Sequence, residues 1–140
     1  MTKHKQVLFG YGQGDCLRTC IASILDKPLE DVPNFCVKDS WFEDMVNWCY
    51  GEGVGVLYQA RKSPPNGLMG CYAIATGRSP RWRQMAEQHP DVDPELFLHC
   101  VVVRIGRYGE GCDWVHDPHP DNTWIDDVRY WIILIPNSSN

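Results

Sequence analysis

The sequence predicts an α+β fold in which N-terminal helices pack on a mostly antiparallel sheet, and three observations lead there. Apolar residues recur at helical spacing in the first third of the chain. After Gly55 they come instead in short β-branched or aromatic runs separated by Gly, Pro, Asn and Asp. Helices first and strands afterwards, with no regular β-α alternation, favour antiparallel pairing over crossover units. A chain of 140 residues, 44% hydrophobic and 22% charged, suits one globular domain over residues 1–140.

Each element has its own signal. Residues 10–15 form a glycine-rich loop, after which Leu17, Cys20, Ile21, Ile24 and Leu25 keep the three-and-four spacing of a buried helix face. This predicts a helix over 15–26, with Asp15 as N-cap and Pro28 just beyond its end. Ser40-Trp41-Phe42-Glu43 reads as a capping box opening a second helix, with Trp41, Phe42, Met45, Val46 and Cys49 inward and an end near Gly51. Strands are predicted at Val54–Ala60, Gly70–Thr76, His99–Ile105, Trp114–His116 and Tyr130–Ile135. Residues 61–69 read as a turn, and the polar, proline-bounded segment 80–97 as a loop carrying a short helix. Trp41, Trp48, Trp114, Trp124 and Trp131 are expected mostly in the core, whereas Trp82, between Arg81 and Arg83, is a candidate exposed substrate contact.

Composition excludes several classes. With 13 Lys+Arg against 18 Asp+Glu the formal net charge is −5, which is not that of a basic nucleic-acid-binding module. The longest apolar stretch, Tyr130 to Ile135, is far short of the ~20 residues that cross a bilayer, so no membrane partner is expected. The apolar run Val7-Leu8-Phe9 is too short for a signal-peptide core, and the seven cysteines form an odd set without a CxxC pair. Both features point to reduced thiols and a cytoplasmic location.

One thiol stands apart. Cys16 opens the first helix, where the macrodipole stabilises the thiolate, the form that attacks carbonyls. Such a nucleophile needs a proton carrier and a group to orient it, and both can lie far away in sequence. His99 heads a predicted strand, and Asp117 lies in the loop His116-Asp117-Pro118-His119-Pro120 after the next one. Cys16, His99 and Asp117 thus make a triad by role and order. Cys20, one turn on, is expected in the core, and His119 is expected exposed. A zinc site built from Cys16, Cys20, His116 and His119 is disfavoured, because only two residues separate the histidines and a helical Cys-x3-Cys is an unusual ligand pair.

Five blocks carry a resemblance. Gly14-Asp15-Cys16-Leu17-Arg18-Thr19-Cys20-Ile21-Ala22-Ser23-Ile24-Leu25, Pro28 to Phe35, Ile74-Ala75-Thr76-Gly77-Arg78-Ser79-Pro80-Arg81, His99-Cys100-Val101-Val102-Val103 and His116-Asp117-Pro118-His119-Pro120 resemble, in that order, small phage and bacterial papain-like-fold cysteine peptidases related to the bacteriocin-processing group. The resemblance implies a papain-like core with Cys16 as nucleophile, His99 as general base and acid and Asp117 as orienting residue. It implies no cofactor and no metal, a protein or peptide substrate from host or phage, and the host cytoplasm as location if the protein is phage-encoded. Two departures stand out. The larger fold usually supplies an oxyanion-hole Gln six residues before the nucleophile, where this chain has Gly10; Gln6 is favoured in that role, with Gln13 inside the turn as the other choice. Segment 82–98 is longer than expected and reads as a substrate-selecting lid or an insertion. The competing class is a protein that retains the fold, leaves the triad idle and inhibits a host factor by contact.

Overall fold

The computed structural model describes residues 1–107 and 111–136. It contains three α-helices and one five-stranded antiparallel sheet. Helix α1 spans Cys16–Ile24 and α2 spans Trp41–Gly51. Strands β1 (Val54–Gln59) and β2 (Tyr72–Arg78) follow, then α3 (Trp82–Gln88), then β3 (Leu98–Ile105), β4 (Cys112–His116) and β5 (Asp126–Pro136). The spatial order is β1-β5-β2-β3-β4.

The central strands are apolar without alternation because both sheet faces are covered. Ile74, Val102, Ile132 and Leu134 face α1 and α2, meeting Leu17, Ile21, Met45 and Cys49. Their neighbours Ala73, Val101, Val103, Trp131 and Ile133 form a second core on the opposite face, capped by loop residues such as Leu68 and Trp124. Trp131 is fully buried, and its indole N–H donates to the Arg61 carbonyl at 2.9 Å, which closes the 61–69 turn over that face.

Helix α1 is shorter than its periodicity suggests. Asp26 adopts a left-handed conformation (φ 54°), and the Lys27 N–H reaches back to the Ala22 carbonyl at 3.0 Å, which stops the helix before Pro28. Asp15 stands at the N-cap, where its carbonyl takes the Thr19 N–H at 2.9 Å, but its side chain turns the other way. At α2 the expected capping box is absent, since the Ser40 hydroxyl donates to the Asp44 carboxylate at 2.8 Å rather than closing on Glu43. Of the residues expected inward on α2, Met45 and Cys49 are buried, whereas Phe42 is exposed and meets Tyr58 edge-on. Trp114 is also exposed rather than in the core, because β4 is an edge strand; its ring meets Trp124 edge-on.

Segment 80–97 forms α3 and a single 3-10 turn at Pro94–Leu96. It is anchored at its far end, where Phe97 is fully buried against Tyr11 and its carbonyl takes the Ser79 N–H at 2.8 Å. Glu95 pairs with both Arg78 and Arg129. β2 and β5 lose register around Gly77, where a Cβ would meet the Asp127 carbonyl oxygen at 2.7 Å. Only glycine fits that close approach, which lies directly opposite His99 in the register of β2 and β3. Among the described residues no helix is long and apolar enough to cross a membrane.

Candidate active site

The Cys16 end of the site is built by the loop before α1. Gly10 (φ 98°) turns the chain so that the Gly14 N–H meets the Gly10 carbonyl at 2.9 Å, too tight for a side chain at Gly14 to fit without displacing that carbonyl. The buried Asp15 carboxylate accepts the N–H groups of Val7 and Leu8 at 3.2 and 3.1 Å, which pins the preceding strand-like segment across the helix start. Cys16 is therefore the first residue of a helix whose entry is fixed from both sides. Its own N–H lies in the first turn, where the helix supplies no acceptor.

His99 comes from the other side, on β3. β4 pairs with β3 only as far as Val102 opposite His116, so the chain leaves the sheet at Asp117. The Asp117 carboxylate, 1% exposed, bonds the His99 Nε2 at 2.7 Å and takes the backbone N–H groups of His119 and Trp124 at 3.0 and 2.8 Å. With Nε2 engaged, Nδ1 is the ring nitrogen left for Cys16. Burial pushes the His99 pKa down, but the hydrogen bonds to Asp117 and Cys16 outweigh it and raise the value to about 9. The same three bonds hold the Asp117 carboxyl below its usual range despite burial.

Cys16, His99 and Gln6 line one groove of about 340 Å³. The Cys16 thiol is held well below its ordinary value, first by hydrogen bonding from the Cys100 thiol and then by His99, against the opposing effect of burial. Cys100 is buried beside Thr76, whose hydroxyl lies 3.3 Å from its sulfur, and its own pKa is pushed well up by the bond to Cys16 and by burial. Cys20 is buried and likewise raised, by burial and by the Cys16 charge, as suits a core thiol. The two shifts run in opposite directions, the thiol down and the imidazole up, which is the sense that favours a thiolate beside a charged imidazole.

Gln6 reaches the groove because its N–H is held by the Pro118 carbonyl at 2.9 Å, and Lys5 holds the Asp117 carbonyl at 3.0 Å. Its side-chain amide donates one N–H to the Leu8 carbonyl at 3.1 Å, while Oε1 is buried without a partner. Gln13 and Gly10 line the same groove. Trp82 does not: its ring packs under the guanidinium groups of Arg78 and Arg83, at 5.6 and 4.7 Å, away from the lining. The groove instead takes Arg81, Gln84, Met85 and Gln88 from the same segment. Those four follow the spacing i, i+3, i+4, i+7 of one helix face, a signal present in the sequence.

The 116–120 loop also differs from its reading. His119 is not free on the surface but lines the groove beside His99, with ring centroids 6.1 Å apart. His116 is buried and bonds the His4 carbonyl, fastening the N-terminal segment to the loop. Among the described residues no group of three or more His, Cys, Asp or Glu side chains gathers as metal ligands would. Two other depressions, of about 380 and 430 Å³, contain no cysteine. No protein-family model, curated protein or solved structure matches the chain.

Proposed function

We propose that this chain is a cysteine-dependent acyl-transfer enzyme with a papain-like core, acting as a peptidase or isopeptidase on a host or phage protein through a thioester at Cys16. The reading is carried by one observation: a helix-terminal thiol and a buried imidazole share a groove, and a fully hydrogen-bonded carboxylate stands behind the imidazole.

In this mechanism the Cys16 thiolate attacks the carbonyl carbon and forms the C–S bond. The oxygen gathers charge beside the Cys16 N–H and the remaining N–H of the Gln6 amide. As the C–N bond breaks, His99 passes its Nδ1 proton to the departing amine, while Asp117 keeps the ring oriented through Nε2. Water then attacks the thioester, gives its proton to His99, and the sulfur leaves as thiolate.

A second reading, a protein that keeps this fold and inhibits a host factor by contact, draws on Gly10 standing where the resemblance expects an oxyanion-hole Gln. Incubation with the epoxide E-64 at pH 7, followed by intact mass and peptide mapping, separates the two. One adduct on Cys16, lost in His99→Ala, is the result expected of the enzyme. No adduct at Cys16, or slow modification spread over the seven thiols, contradicts it.

A further inference from the structure

The groove has a charge character at odds with the rest of the chain. The protein carries a net charge of −5, yet among the described residues no carboxylate lines the groove; its side chains are amides, apolar groups, the Cys16 thiol, the Ser79 hydroxyl, Arg81 and the two histidines. The end next to His99 is built by Arg81 and His119, which are joined through Asp121. Arg81 Nη1 donates to both Asp121 oxygens at 3.0 and 2.8 Å and to the Thr123 hydroxyl at 3.0 Å. Nothing in the described residues pairs with the other guanidinium nitrogens, and they are not buried.

The tautomer of His119 follows from the same loop. Its Nδ1 lies 3.0 Å from Asp121 Oδ1 and 3.1 Å from the Asp121 N–H. Oδ1 already accepts from Arg81, the Thr123 N–H and the Thr123 hydroxyl, whereas the Asp121 N–H has no acceptor but Nδ1. Nδ1 is therefore the acceptor, and the proton sits on Nε2. Burial and the Arg81 charge lower the His119 pKa from its ordinary value, the opposite direction to His99. Nε2 pairs with no described protein group and is not buried, so it stands as a free donor.

The free donors of Arg81 and His119, with the Asp121 carboxylate engaged by Arg81 Nη1, stand next to the general acid and meet the part of a substrate that leaves with the amine. We propose that Arg81 and His119 form a leaving-side specificity subsite that takes an acceptor-rich, acidic segment, with a Glu or Asp carboxylate within the first two residues after the scissile bond. This rests on the hydrolase reading above and extends it to substrate class. Arg81 supplies the charge for the carboxylate through its unpaired guanidinium nitrogens, and His119 supplies a directional hydrogen bond from Nε2–H.

The test is to incubate the full-length reduced protein with a proteome-derived peptide library bearing blocked N-termini, and to identify new amines by mass spectrometry. The expected result is several-fold enrichment of Asp and Glu at the first two positions after the cut, falling to background in Arg81→Met and in His119→Phe, with no cleavage by Cys16→Ala. Iodoacetamide alkylation of Cys16 within about two-fold of wild type shows that each variant keeps its site. Cleavage by the wild type without acidic enrichment overturns the subsite, as does enrichment that both variants retain. Absence of cleavage by the wild type overturns the hydrolase reading beneath it.

Discussion

The wall of the groove that carries Cys16, His99 and Asp117 is held by bonds that water does not reach, whereas the wall made by Arg81 and the 119–123 loop is held by ion pairs that it does. Asp15, His99 and Asp117 are at most 3% exposed, and each lies in a network of buried hydrogen bonds. The Arg81 and Asp121 side chains are 23% and 35% exposed. Buried networks fix geometry to fractions of an ångström, as a nucleophile and base require. Exposed pairs contribute little stability and can change partner, which suits a surface that selects substrates.

The contrast breaks first if the nucleophile is removed. Cys16→Ala is expected to abolish hydrolysis of any cleaved peptide, by at least ~10³-fold, while its thermal midpoint stays close to wild type because the side chain is small and at a helix end. Asp117→Ala is expected to cost roughly 10³-fold in kcat and on the order of 3 kcal/mol in stability, since it leaves two backbone N–H groups and an imidazolium without their acceptor. Urea titration alongside kinetics measures both. Cys100→Val is expected to slow Cys16 alkylation several-fold at pH 6 by removing the thiol that hydrogen-bonds the thiolate, and Cys100→Ser, which keeps a donor, to restore most of the rate. On the exposed wall, Arg81→Ala is expected to cost no more than about 1 kcal/mol. A loss as large as that of Asp117→Ala would erase the distinction between the walls.

Acid–base behaviour sharpens the same comparison. Because His99 is raised from 6.5 to about 9, its pairing stabilises the fold fully below the unfolded value and that contribution is lost as pH climbs through 9. Asp117 is lowered, so its contribution is present above its ordinary value near 3.8 and is lost as pH falls. Hydrolysis is expected to decline above about pH 9, where the leaving amine no longer finds a proton on His99, while alkylation of Cys16 continues. Parallel decline of both rates would contradict the role given to His99.

What the sequence made legible follows from how local each signal is. The periodicity around Leu17 and Ile21, the β-branched runs and the glycine loop before Cys16 act within a few residues of where they are read, so both long helices and all five strands were foreseeable. Ends were less so, because the Asp26 turn and the bulge at Gly77 depend on carbonyls elsewhere in the chain. Cys16, His99 and Asp117 were singled out by the roles that a thiol mechanism demands, and the structure sets Cys16 and His99 in one groove with Asp117 on the His99 ring. Cys100, in the core beside Thr76, and His119, in the groove, were not, since their positions come from a sheet face and from a loop turned onto Asp121, which no spacing records. Trp82 lies off the groove lining for a related reason: the guanidinium groups of Arg78 and Arg83 stack on its ring.

The pairing of Cys16 with His99 is the claim on which everything else rests, and the pH dependence of iodoacetamide alkylation, followed peptide by peptide, tests it most directly. Burial and the Cys16 charge push the Cys36 thiol up to about 12, so a short cysteine peptide with an ordinary thiol serves as the reference. The structure predicts that Cys16 reacts at least ~10-fold faster than that peptide at pH 6, with a rate that stays level up to about pH 9 and loses its advantage in His99→Ala. A Cys16 rate no greater than that of the peptide at pH 6, rising only through the ordinary thiol range near 8.5, would contradict it.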